Sequence, residues 1–157
     1  MATEQISHCS HADFLAIRKN IENYWGSDRT LSVHHPMFIF EFGNSAYVIK
    51  EKQEIIAYLF GFLSQTSPTA YVHLVGVHKD HQYKGLGTKL YKHFIEFAQL
   101  QGCNKLKAIT SPTNTQSISF HQKLGMSLIG ELEENGLPIF KDYSGEGQDR
   151  VVFEKNI

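Results

Sequence analysis

Tyr71-Val72-His73-Leu74-Val75-Gly76-Val77-His78-Lys79-Asp80-His81-Gln82-Tyr83-Lys84-Gly85-Leu86-Gly87-Thr88-Lys89-Leu90 carries more of the architecture than any other stretch of the 157-residue chain. Its first part is apolar and β-branched, the signature of a buried strand, and a short polar turn with two glycines follows. Leu86, Leu90, Phe94, Phe97 and Ala98 then recur at helical spacing, with Lys89, Lys92, His93, Glu96 and Gln99 on the other face. A strand, a glycine turn and a helix in that order present main-chain N–H groups and the positive end of a helix dipole at one point, which suits a phosphate. Gly85 and Gly87 remove Cβ where the chain must turn tightly and where a ligand must approach the backbone.

Two common phosphate loops fail against these residues. A P-loop needs Gly-Lys-Ser/Thr after four spacers, and the chain has no such string. A dinucleotide fingerprint needs a third glycine where Leu90 stands.

Gln82-x-x-Gly85-x-Gly87 instead resembles the acyl-CoA pyrophosphate loop of the GNAT superfamily of N-acetyltransferases. A second stretch agrees: Lys105 to Thr110 as a strand, a loop punctuated by Pro112 and Asn114, then a short helix ended by Gly125. It resembles the superfamily motif Asn-x-x-Ala-x-x-Phe-Tyr-x-Lys-x-Gly-Phe through Asn114, Phe120, Lys123 and Gly125. Ser117, His121 and Met126 depart from it. The resemblance covers roughly residues 45 to 130.

The resemblance implies an acetyl-CoA-dependent N-acetyltransferase. It implies that main-chain groups of Gln82, Tyr83, Lys84, Gly85, Leu86, Gly87 and Thr88 hold the pyrophosphate and that the Val75 N–H faces the acetyl carbonyl. Val77 would pair with pantetheine and Asn114 would touch the pantetheine arm, with Phe120 and Lys123 also on the cofactor side. His73, in a strand like that of arylalkylamine N-acetyltransferases, would be the general base. Strand alternation puts Tyr71, His73, Val75 and Val77 on one face, and an unperturbed imidazole pKa near 6.5 suits a base at neutrality. His121 stands where many relatives have a tyrosine that protonates the departing thiolate. It reads as an imidazolium acid, as a substrate-binding group or as an ordinary helix residue.

Around this core a first helix is expected over residues 11 to 24, capped by Ser10, and a hairpin of strands over 45 to 50 and 55 to 64. Residues 34 to 42 are open between helix and strand. A strand at 127 to 132, a variable segment at 133 to 149 and a last strand at 150 to 154 close the chain. This is an α/β (α+β) succession giving a mixed sheet with helices on both faces. The resemblance makes it GNAT-like and mostly antiparallel, in a single domain spanning 1 to 157. On the acceptor side the layout brings Trp25, Glu41, Tyr71 and Tyr143, with Asp28, Arg29 and Arg150 nearby, where carboxylates would attract a cationic amine and aromatic rings would stack on it.

Hydrophobic content of 41%, charged content of 20% and a net charge of -1 describe an ordinary globular protein and give no electrostatic reason to expect nucleic acid. The longest apolar run, Ala57 to Leu63, is far below the roughly 20 residues of a membrane span, so no membrane partner is expected. Cys9 and Cys103 match no redox or metal spacing, and without a secretory leader they fit the cytoplasm. His34 and His35 are completed by no ligand spacing, so no metal is expected. The expected acceptor is a small-molecule amine, then a protein or peptide amino group. A non-catalytic acyl-CoA sensor is the alternative outside enzymes. Strand-edge pairing near the C-terminus would allow a homodimer.

Overall fold

A computed structural model describes residues 4 to 157, which gather into two compact units. The first runs to Phe62 and takes in Val72–Phe97; the second comprises Leu63–Tyr71 and Ala98–Ile157.

In the first unit, β1 (Ile6–His8) leads into α1 (His11–Lys19). Ser10 caps this helix as expected: its hydroxyl accepts from the Asp13 N–H at 3.1 Å, and Asp13 reaches back to the Ser10 N–H at 3.0 Å. The single helix expected over 11 to 24 is two. Asn20 donates its side-chain amide and its main-chain N–H to Ala16 O, ending the first, and α2 (Glu22–Trp25) follows, closed by Gly26 at φ +74°. After a 3₁₀ turn at Leu31–Val33, the open stretch at 34 to 42 contains a helix, α3 (Met37–Phe40), which buries Phe38.

The hairpin is β2 (Ala46–Glu51) and β3 (Glu54–Leu63), joined through Lys52 and Gln53, both left-handed as a two-residue hairpin turn requires. β4 (Thr69–Val77) alternates as read: Val72, Leu74 and Gly76 are buried, while His73, Val75 and Val77 are half-buried. α4 (Leu86–Leu100) follows the glycine turn. Val48, Tyr58, Phe60 and Leu74 pack with Phe14 and Ile17 of α1 on one face of the sheet. On the other, Tyr47 meets His93 of α4 edge-on at 4.7 Å, so helices cover both faces. Each large side chain buried here contributes roughly 1.5–3 kcal/mol.

In the second unit, Thr69–Tyr71 of β4 pair in parallel with β5 (Lys105–Thr110). α5 (Thr115–Lys123) and β6 (Ser127–Ile129) follow. The segment expected as a variable loop contains a second hairpin, β7 (Leu132–Glu134) with β8 (Leu137–Ile139), turned by Asn135 and Gly136 at φ +51° and +80°. β9 (Val151–Asn156) lies antiparallel between β5 and β6. The strand order is β1-β2-β3-β4-β5-β9-β6. β1–β2, β2–β3, β5–β9 and β9–β6 pair antiparallel, which gives the mixed, mostly antiparallel sheet expected. Among the described residues no helix is long and apolar enough to cross a membrane.

Candidate active site

The turn after β4 has the geometry that its sequence implies. His78 caps a 3₁₀ turn at Lys79–His81 by accepting the Asp80 N–H at 3.2 Å. Gln82 spends its side-chain amide on Val77 O at 3.4 Å, so its side chain braces the turn from behind. Tyr83 and Gly85 are left-handed, at φ +62° and +79°, and such alternation curls successive N–H groups toward one point. Tyr83, with a side chain that is 91% exposed, holds a conformation costing on the order of 1 kcal/mol or more, a strain that collects at functional sites. Gly85 O receives the Lys89 N–H at 3.0 Å, the first bond of α4. By helix geometry the N–H groups of Leu86, Gly87 and Thr88 then lack an intrahelical acceptor. A Cβ on Gly85 would meet nothing within 4 Å, so the turn opens outward, while Leu86, Leu90, Tyr91 and Phe94 bury the helix behind it. These features fit a diphosphate.

His73 projects from the half-buried face of β4. Its ring stacks on Phe38, centroids 4.4 Å apart, and Nε2–H donates to Val33 O at 2.9 Å. That bond fixes the tautomer, leaving the ring's basic electron pair on Nδ1. Burial lowers the pKa below its usual 6.5 despite this hydrogen bond, so the ring is in its neutral, basic form at pH 7.

Trp25, expected at the acceptor, donates its indole N–H to the Tyr58 hydroxyl at 2.6 Å. The Tyr58 oxygen lies 2.8 Å from Nε2 of buried His34, whose Nδ1–H donates to Thr30 O at 2.8 Å. This core network has two members, Tyr58 and His34, that the sequence did not single out for it. Burial drives the His34 pKa down to about 4. Arg18 donates to Leu31 O and His34 O, so residues 31 to 34 are held by Arg18 and His73 together. Glu41 is exposed at the end of α3.

In the second unit, Asn114 caps α5, its side-chain oxygen accepting the Ser117 N–H at 3.1 Å. Phe120 is half-buried and Lys123 exposed. His121 is 4% exposed and stacked on Phe153, and Nδ1–H donates to Ser117 O at 2.7 Å. Burial drives its pKa down to about 4. At pH 7 this ring is neutral, since loss of water around it outweighs the hydrogen bond to Ser117 O; of the three readings from the sequence, the imidazolium acid is the one that this burial disfavours. Tyr71 and Tyr143 come together, with burial and the neighbouring Tyr143 pushing the Tyr71 phenol up to about 12 against the pull of Arg150.

The sequence pattern of the acetyltransferase (GNAT) family matches residues 14–126. The chain belongs to this family. Over 64 residues it is 36% identical to an L-methionine sulfoximine/L-methionine sulfone acetyltransferase of Pseudomonas aeruginosa and 38% identical to the L-amino acid N-acyltransferase MnaT of Escherichia coli. The matched stretch is 41% of this chain and only 37% of either relative. A GNAT-family protein of Desulfovibrio desulfuricans has the same fold at 17% identity, with a TM-score of 0.78 over 97% of this chain and 98% of its own. The IAA acetyltransferase of Bacillus cereus also shares the fold, at 20% identity and a TM-score of 0.65 over 99% and 100%.

Proposed function

We propose that this GNAT-family chain transfers an acetyl group from acetyl-CoA directly to the primary amine of a small, amino-acid-like acceptor. The observation that carries the reading is the left-handed turn at Tyr83 and Gly85 opening outward at the start of α4. The relatives named for amino-acid substrates support the acceptor class.

Acetyl-CoA supplies the activated acyl carbon, and a C–N bond replaces its C–S bond. Main-chain N–H groups of the turn, from Gln82 to Thr88, bind the diphosphate, and the α4 dipole adds to them. The edge of β4 at Val75 and Val77 aligns the rest of the cofactor, with the Val75 N–H polarising the carbonyl. His73 takes the ammonium proton at Nδ1, directly or through water, since an alkylamine with a pKa near 10 reaches pH 7 mostly protonated. The thiol leaves as thiolate and takes its proton from solvent, because neutral His121 is a poor acid. Cys9, buried with its pKa pushed up to about 12, is no nucleophile.

Thiol release from acetyl-CoA, measured over a panel of L-amino acids, simple amines and peptides, tests the reading. Turnover with amino acids supports it. Turnover with peptides alone would move the acceptor to proteins, and cofactor binding without release to any amine would make the chain a sensor.

A further inference from the structure

The second unit holds a feature opposite in sign to the acceptor side read from the sequence, where acidic groups were expected to attract a cation. By strand register, Tyr71, Lys107 and Glu154 stand in one row of the sheet. Arg150, two residues before Val152 and four before Glu154, projects on that same face. Glu154 is engaged by Lys105 at 3.4 Å. Lys107 lies over the ring of Tyr143, 5.6 Å from its centroid, with no carboxylate within ion-pair distance among the described residues. Arg150 donates to Asp149 O at 2.7 Å and to the Gln148 side-chain oxygen at 3.3 Å, neither of them a charged group.

Arg150 also lines a cavity of about 400 Å³ with Ser111, Thr113, Glu134, Asn135 and Asp149. Its size falls in the range that holds small ligands. The loop forming one wall is fastened internally: Asp142 Oδ1 accepts the Gly147 N–H at 2.7 Å, and Asp149 Oδ1 accepts the Asp142 N–H at 2.9 Å. The wall is thus shaped before a ligand arrives. A guanidinium in ion-pair contact with no carboxylate, with three of its five N–H groups outside these two bonds, keeps charge and donors for a planar anion. Glu134 and Asp149 on the same cavity disfavour a multiply charged phosphate and tolerate a zwitterion.

We propose that this cavity is the subsite for the carboxylate of the acceptor, with Arg150 as the residue that recognises it and Lys107 with Tyr71 and Tyr143 as the cationic and hydroxyl-bearing wall beside it. The chain would then select amines that carry an α-carboxylate over the same amines without one. The inference rests on the acetyltransferase reading for the fate of the amine, and on the cavity alone for recognition of the acid.

Calorimetry with L-methionine sulfone and with its decarboxylated amine, in the presence of coenzyme A, tests it without turnover. Wild type should bind the amino acid about tenfold or more tightly than the amine, as a charge-assisted pair in a partly enclosed site provides. Arg150→Gln should collapse that difference, Arg150→Lys should restore part of it, and Lys107→Met should narrow it. Equal binding of acid and amine by wild type, or no binding of either, overturns the proposal. So does an Arg150→Gln protein of unchanged melting temperature that still prefers the acid, or that loses affinity for coenzyme A instead. If thiol release fails with every amine while acid-selective binding persists, the function falls and this subsite stands.

Discussion

His121 and Phe153 lie face to face, ring centroids 4.3 Å apart and planes 8° from parallel, with Phe120 edge-on to the imidazole at 5.2 Å. The resemblance puts this histidine where relatives carry an acid, yet its neighbours are those of a core residue. His121→Phe keeps the stack and gives up the Nδ1 bonds to Ser117, so kcat should stay within about threefold of wild type and stability within about 1 kcal/mol. Steady-state thiol release and urea unfolding check both. A fall in kcat of a hundredfold with the fold intact would put a proton on this ring during turnover.

Acid should unfold the protein through its buried histidines. His34 and His121 each have a folded pKa lowered to about 4 by burial, against about 6.5 when unfolded. Over that interval the unfolded chain binds more protons, so their stabilising contribution is whole above pH 6.5 and is lost as pH falls toward 4. At pH 5 the loss should be on the order of 2 kcal/mol for each. Urea midpoints at pH 7 and pH 5 measure it, and His121→Phe should remove its share of the difference.

Tyr58 joins Trp25 to His34 through one hydroxyl. Tyr58→Phe strands a half-buried indole N–H and a buried imidazole nitrogen, and should cost about 2–4 kcal/mol in denaturant unfolding. A loss under 0.5 kcal/mol would mean that the network adds nothing to the fold.

Gly76 faces that same ring. A Cβ there would stand 2.7 Å from Cε1 and Cζ of Tyr58. Gly76→Ala should therefore destabilise by about 1–3 kcal/mol through overpacking. Combining it with Tyr58→Leu should cost less than the two single losses summed, because the smaller side chain makes room. Additive losses would place the strain elsewhere.

The strand, turn and helix from Tyr71 to Leu100 were legible because glycines, a helix stripe and strand alternation are local signals, and the turn at Tyr83 and Gly85 is built from them. The hairpin at Lys52 and Gln53 followed from two flanking apolar runs. The second hairpin was missed although Asn135-Gly136 is a strong turn signal, because the strands it joins have only three residues each. The network joining Trp25 and His34 was not legible for a different reason. Their partner Tyr58 lies in β3, and nothing within a local window shows that one hydroxyl will reach both. The lowered pKa of His121 was hidden likewise, since it comes from burial, and the ring stacked on it, Phe153, lies in a distant strand.

If His73 is the base, kcat/KM should rise with pH through a single ionisation below 6.5 and level off above it, the direction set by burial of its ring. His73→Gln should remove that limb and lower kcat by about 10²-fold or more while acetyl-CoA affinity holds. An unchanged acidic limb in His73→Gln would assign the ionisation to another group.

The grip of the turn on a diphosphate is tested most directly by comparing acetyl-CoA with acetyl-pantetheine, which lacks it, in calorimetry on wild type and Gly85→Val. The account predicts that acetyl-CoA binds wild type at least about a hundredfold more tightly than acetyl-pantetheine, and that Gly85→Val loses most of this advantage, because a branched side chain is strained at φ +79° and fills the mouth of the turn. Equal affinities for the two compounds on wild type would contradict it.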